Sequence, residues 1–472
     1  MIHEDNNDHR VFKEASSYFA QMFQHQQLHT PAQPTGELPY LSGFWGQMLT
    51  SECLPGAVPP VHYLPYDSPY NLYPEAITAD SFIAPRADHR KAWLYKILPT
   101  VSTHSPFENY PLPLFGGSAD DWSELTPEPI RWNSQPLPET PTDFVHGIST
   151  IAGVGSAESR SGTALHAYAC NTNMGDSCFT NADGDMLIIP QLGVICVYSE
   201  MGRLIVKVGE IVVIPRGFKF SVQLLTPVAR GWISELFTGH FQLPNRGPIG
   251  TNGMAEERHF QAPVAWYENR TDITYKSIHK FGGKTFVATY DHSPYDCVGW
   301  TGNIFPVKYN LHLYNSFGTV KTDHADPSTL TVLTCPADDK GHSAVDFVAF
   351  CGRWDASEDS FKPPYYHRNF ATEFNAIVSM ESEYCGFEEG TTFLTPFMTG
   401  HGIAGDSYNN FYKADKEKVQ QPVRLSDESL WVMVESTYQM RLTKWAVEAN
   451  HRDKEYRKFW SGLKRKFDPT KK

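Results

Sequence analysis

The sequence predicts a mainly β fold, with an N-terminal β-sandwich of jelly-roll type followed by a second β-rich domain. Three observations predict it. Aromatic residues make up 13% of the 472-residue chain, and Pro and Gly number 34 each, which favours strands and structured loops over a helical bundle. Apolar, β-branched segments bounded by Gly, Pro or Asp recur about every 8–12 residues between Gly147 and Leu243. The length exceeds that of a usual single core, so two domains are expected.

Taken in order, residues 1–36 read as an N-terminal extension. A short helix is expected over Ser16–Phe23, followed by a loose His-, Gln- and Pro-rich stretch. From about Leu41 to Val145 the chain is dense in Pro and aromatics. There AWLYKILP (Ala92–Pro99) reads as a strand ended by proline, and DSPYNLYPE and DWSELTPEPIRW read as long ordered loops. The core strands follow in LHAYAC, GDMLIIPQLG, VICVYSEMG, RLIVKVGE, IVVIPRGFKFSVQLL and GWISELF. GDMLIIPQLG and GEIVVIPRG have the Gly- and Pro-ended form of short jelly-roll strands. AGVGSA, with Gly153 and Gly155, is too short for a nucleotide fingerprint and reads as a loop. LPNRGPIGTNG connects to a second strand-rich region from about Tyr275 to Val434. A terminal helix is expected from Lys444, because Trp445, Tyr456, Phe459, Trp460 and Leu463 partly follow 3–4 residue spacing.

The bulk numbers exclude several classes. A net charge of −13 repels phosphate backbones, which argues against nucleic acid, and the run Lys464-Arg465-Lys466 reads as a solvated helix end. The N-terminal MIHEDNNDHRVFKEAS lacks the apolar core of a secretory signal, and no apolar run is long enough to span a membrane. Eight cysteines without a CxxC pair read as reduced thiols, so a cytoplasmic location is expected. There is no P-loop, GxSxG or GxGxxG.

Two segments hold the residue types for chemistry. PPYYHRNFATEF contains His367 and Glu373, and TGHGIAGD contains His401. Two imidazoles and a carboxylate that leave one face open suit Fe(II) that must meet a substrate and O₂ together. Six residues of extended strand span ~20 Å, so the chain must turn between His367 and Glu373, and Arg368-Asn369 is the expected place. Gly400 and Gly402 would let the backbone at His401 take an unusual path. On spacing alone, hydrogen-bonded loop histidines are the alternative reading. In KTDHADPS, His324 lies between Asp323 and Asp326, an environment that suits a general acid or base and equally a turn histidine before Pro327.

The chain resembles the homogentisate 1,2-dioxygenase family from near Gly43 almost to its end. The resemblance is carried by PYNLYPE, FIAPR, AWLYKILP, CNTNMGDSCFTNADGDMLIIPQ, GPIGTNG, PVAWYE, KYNL, DHADPS, PPYYHRN, HG and TKW, in the family's order and at similar spacings. It implies a β-sandwich domain over 37–316 and a smaller cupin-like domain over 317–472 that holds one Fe(II). His367, Glu373 and His401 would be the iron ligands, with His401 also facing the substrate, and His324 the catalytic, proton-handling histidine. The resemblance further implies a homohexamer built as a dimer of trimers. The implied reaction is O₂-dependent opening of homogentisate to maleylacetoacetate, in tyrosine and phenylalanine breakdown.

Around the implied pocket the sequence departs from the family. The family's tyrosine after the ligand glutamate falls at Met380 or Ser382, with Tyr384, the candidate substrate contact, displaced. Thr395 stands where the family often has a histidine, and Trp300-Thr301-Gly302 replaces its Trp-His-Gly. Gly400-His401-Gly402-Ile403 replaces Pro-His-Gly-Pro. A lost polar group in a pocket alters discrimination, so a paralogue that opens a different hydroquinone- or gentisate-like ring is the alternative. A metal-free bicupin binding protein and a zinc hydrolase are the readings from other classes.

Overall fold

The computed structural model of the protein describes residues 37–102, 104–118, 120–251, 253–318, 321–323, 326–381, 387–413 and 421–471. The Ser16–Phe23 segment and the rest of 1–36, together with His324, Ser382 and Tyr384, lie outside them. The mainly β expectation holds: strands dominate, and the α-helices Gly405–Lys413 and Lys444–Glu448 are short. None of the described helices is long and apolar enough to cross a membrane. Seven cysteines are free, and Cys385 lies outside the described residues.

The chain divides into two compact units. One comprises Met1–Trp122, Pro136–Gln242 and Glu256–Leu313; the other comprises Ser123–Gln135, Leu243–Ala255 and Tyr314–Lys472. Two short segments that lie between stretches of the first unit thus belong to the second.

In the first unit, Asp185–Leu192 pairs with Glu210–Ile214 on one side and Ala229–Leu236 on the other, and Ala229–Leu236 pairs with Ser161–Cys170. In Asp185–Leu192 and Glu210–Ile214 the apolar runs MLIIP and IVVI are buried at every position, as in strands covered on both faces. A second sheet runs Gly202–Val206, Ile195–Ser199, Lys219–Leu224, Ser177–Asn181, Tyr275–Phe281, Lys284–Tyr290 and Glu108–Asn109. AGVGSA is not a loop but the end of the strand Ile148–Ser156. Its glycines are packing residues: a Cβ on Gly153 would lie 2.3 Å from the Trp122 ring, and Gly155 (φ +74°) lets the hairpin close against Ser161.

The two sheets are tied by a buried ionic cluster. Lys280 Nζ, on the second sheet, donates to Glu235 Oε1 (2.7 Å) on the first and to Asp183 Oδ2 (2.9 Å). Asn181 donates to the same Glu235 oxygen, and the His166 ring lies 3.1 Å from the other. Burial alone would raise the Glu235 carboxyl; the Lys280 ammonium and His166 instead hold it down at about 2. Burial pushes the His166 imidazole down.

The second unit is built on one antiparallel sheet in the order Thr331–Pro336, Ser343–Phe350, Leu430–Ser436, Thr372–Ser379, Thr392–Thr395, Ile130–Trp132 and Arg452–Asp453. Part of the expected DWSELTPEPIRW loop is therefore a strand. The expected terminal helix is also corrected. Thr443 caps a helix of one turn and a half, Lys444–Glu448; the chain then pairs Arg452–Asp453 with Arg131–Trp132 and ends in a 3-10 turn, Tyr456–Trp460. Arg131 explains the break. It pairs with Asp453, which lies opposite it across the sheet and is therefore held extended, and it lies 5.0 Å from the Tyr456 ring. The separation of Trp445 from Tyr456 mimics three helical turns by coincidence. Lys464-Arg465-Lys466 is exposed coil rather than a helix end, with Lys466 donating to Asn409.

Candidate metal centre

Thr372–Ser379 is a central strand of the second unit, and Glu373 is its second residue. Its cross-strand neighbours are Glu435 on one side and Thr395 on the other. Residues directly opposite in a sheet share a face, so both side chains flank the Glu373 carboxylate. His367 precedes the strand, and the chain bends at Phe370–Ala371, slightly later than the expected Arg368-Asn369.

His401 reaches the site through a backbone pair. His367 N donates to His401 O (2.9 Å), and His401 N donates to His367 O (3.1 Å). This bridge brings the two imidazole centroids to 4.1 Å. Only one of the flanking glycines is needed for the path. Gly402 has φ +147°, and a Cβ there would lie 2.7 Å from Tyr365 O; Gly400 has ordinary φ, and its Cβ would meet only Arg368 Cγ, at 3.7 Å.

Both imidazoles are oriented alike. His367 Nδ1 lies 2.8 Å from Tyr365 O, and His401 Nδ1 lies 2.9 Å from Thr399 O. A carbonyl can only accept, so each Nδ1 carries the proton and each Nε2 is left as the free donor atom. His401 Nε2 is 3.1 and 3.2 Å from the Glu373 oxygens, and His367 Nε2 is 3.8 Å from Oε1. One ligand atom from each of the three residues falls within 4.8 Å of the others. Metal bonds of about 2.1 Å at right angles would set neighbouring donors about 3 Å apart, so the set fits a single ion with small adjustment.

The electrostatics also suit a cation. Burial would raise the Glu373 carboxyl, but the two imidazoles and the Asn369 amide hold it well below the usual range. His367 is raised, chiefly by Glu373. Glu435 is pushed up to about 7 by burial, then by the Glu373 and Asp346 carboxylates and more weakly by Asp326.

Two members of this constellation escape a reading of the sequence. Asn369, expected only as a turn residue, donates its amide to Glu373 Oε1 (2.5 Å) and to Glu435 Oε1 (3.2 Å). Glu435 belongs to no motif in the sequence. A lone acid near the end of the apolar strand LWVMVES was the available signal.

Among the pocket departures, Thr395 is buried beside Glu373, whereas Thr301 belongs to the first unit and lies 2.7 Å from the Thr50 hydroxyl. An open cleft of about 640 Å³ meets the centre; Tyr366, His367, Arg368, His401 and Trp460 are among its walls. That volume suits a small aromatic molecule.

The family descriptions "Homogentisate 1,2-dioxygenase N-terminal" and "Homogentisate 1,2-dioxygenase C-terminal" match residues 39–311 and 312–467. The chain is 41% identical over 437 residues to the homogentisate 1,2-dioxygenase of Arabidopsis thaliana, covering 91% of this chain and 94% of that one. It is 41% identical over 445 residues to that of Homo sapiens (92% and 98%), and 42% over 440 residues to that of Oryza sativa subsp. japonica (91% and 93%). A solved cupin 2 conserved barrel domain protein from Leptotrichia buccalis aligns at a TM-score of 0.25 and 8% identity, over 64% of this chain and 91% of that one. Both halves match in sequence order and the relatives are covered nearly end to end, so the chain belongs to the homogentisate 1,2-dioxygenase family.

Proposed function

We propose that this protein is an Fe(II)-dependent ring-cleaving dioxygenase that converts homogentisate and O₂ to maleylacetoacetate. The observation that carries the proposal is the convergence of His367 Nε2, His401 Nε2 and the Glu373 carboxylate, with both Nδ1 atoms tied to carbonyls, at a cleft of small-molecule size. Iron, when bound, supplies Lewis-acid activation of a phenolic hydroxyl and a place for O₂ beside the ring. The two imidazoles and the carboxylate bind it, and the carbonyls of Tyr365 and Thr399 keep the rings aimed.

His324, carried over on the DHADPS motif, takes or holds the proton of the hydroquinone hydroxyl in this reading, which makes the ring a better electron donor. Asp326, two residues on, caps the turn after it, accepting from Ser328 N, and so is engaged locally. Tyr384 is proposed as a substrate contact on the resemblance alone. Anaerobic loading with Fe(II), followed by O₂ uptake with homogentisate, gentisate, hydroquinone and substituted analogues, tests the function. Homogentisate should be consumed fastest; activity only after Zn(II) loading, or with no metal, would remove the dioxygenase reading.

A second reading is favoured by Thr395. It lies buried against the Glu373 strand where the family often has a histidine, so a polar group is altered at the centre itself. A related enzyme for a different hydroquinone ring would prefer another member of the same screen.

Asn369 should tune the metal through Glu373. Asn369→Ala is expected to weaken Fe(II) binding about 10–100-fold, read by anaerobic competition with a chelator, while Asn369→Asp should weaken it further or misorient the carboxylate. Unchanged affinity in both would remove the clamp from the account.

Self-association, as the family resemblance implies, is also proposed. Tyr66, Phe82 and Ile83 are 103%, 89% and 92% exposed in the single chain, apolar side chains expected to be covered by another copy. Sedimentation should then report a hexamer.

A further inference from the structure

Arg368 stands next to His367 and lines the same cleft as both imidazoles. It is exposed, and no described residue accepts a hydrogen bond or forms an ion pair with its guanidinium. Other arginines of the unit are engaged: Arg131 with Asp453, Arg424 with Asp427, Arg457 with Glu128, Arg353 with Cys351 O and Arg452 with Val447 O. The space beside Arg368 is open, since a Cβ on Gly400 would find only the Arg368 stem within 4 Å.

The surroundings make this cation consequential. The chain carries a net charge of −13, and Glu373 and Glu435 lie at the centre itself, so an anionic ligand meets a repulsive background. A guanidinium fork is the side chain best matched to a carboxylate, which it binds with two parallel N–H···O bonds. Cleft walls of Tyr366, Trp460 and Leu463 offer apolar surface for a ring.

We propose that Arg368 is a specificity-determining residue that binds the carboxylate of an aromatic acid while the ring hydroxyl faces His367 and His401. The proposal rests on the dioxygenase reading and adds the ionic group by which the enzyme selects a hydroquinone acid over a neutral hydroquinone.

The test compares homogentisate with its neutral primary amide on the iron-loaded protein. In Arg368→Gln, KM for homogentisate should rise about 10–100-fold with kcat little changed, kcat/KM for the amide should stay near the wild-type value, and Arg368→Lys should recover part of the loss. Iron per chain should be unchanged in both variants. An unaltered KM for the acid, or an equal loss on acid and amide, would overturn the assignment. Failure of the functional reading looks different: wild-type protein would then consume no O₂ with either compound. Calorimetry under nitrogen still decides the Arg368 assignment in that case, because wild type should bind the acid more tightly than the amide and Arg368→Gln should not; equal preference in both proteins would overturn it.

Discussion

Glu373→Ala is expected to leave a folded protein that retains less than about a tenth of wild-type iron after anaerobic loading and desalting, with turnover lost in proportion. Glu373 is the one anionic ligand of the proposed set and the only member on a regular strand, held between Thr395 and Glu435 by the sheet register. Removing it leaves two neutral imidazoles, which bind a hard divalent cation weakly. It also leaves the Asn369 amide with Glu435 as its remaining carboxylate partner. His401→Ala should lose iron similarly, and far-ultraviolet circular dichroism should keep its β signature in both. Full iron occupancy in Glu373→Ala would show that the metal sits elsewhere.

Lys280→Met is expected to destabilise the first unit by about 3–5 kcal/mol, seen as a fall of roughly 10 °C in its apparent melting temperature. The side chain is fully buried between Asp183 and Glu235, and its loss leaves two buried carboxylates without their shared ammonium. The double variant with Glu235→Gln should recover part of that loss, because Asp183 keeps the amides of Gly282 and Gly283 as donors. The same cluster sets a pH dependence. Glu235 is held at about 2 when folded and would titrate near 4.3 when unfolded. Its stabilising contribution is therefore fully present above about pH 4.3 and is lost as the pH falls towards 2. A Lys280→Met protein that melts with wild type would contradict the assigned role of the ammonium.

The strands of the first unit were legible because they are continuous apolar runs between turn residues, and Asp185–Leu192 and Glu210–Ile214 form where those runs lie. Local pattern failed where partners are distant. Ile130–Trp132 pairs with residues 260 and more positions later, and Pro-rich flanks disguise it as loop. Arg452–Asp453 is set by its Arg131 partner, so helical spacing of aromatics misled across it. AGVGSA reads as loop from its glycines alone, although those glycines admit the Trp122 ring and a tight hairpin.

The candidate site divides in the same way. His367, Glu373 and His401 were named from residue type and motif, and the structure brings their ligand atoms together. Asn369 and Glu435 went unread because their roles depend on register, which places Glu435 opposite Glu373 from a strand 62 residues away in sequence. A cross-strand neighbour of this kind has no local signature. Only one of the two glycines beside His401 proved conformationally special, because Gly402 lies against Tyr365 O while Gly400 borders open cleft.

The central claim is that this cleft opens an aromatic ring with both atoms of O₂, and isotopic labelling tests it most directly. Iron-loaded protein should be given homogentisate under ¹⁸O₂ and the product mass measured at short times. The account predicts a ring-opened acid that carries two labelled oxygens, with one O₂ consumed per substrate. A product with one labelled oxygen or none, or no O₂ consumption while iron is bound at His367, Glu373 and His401, would contradict it.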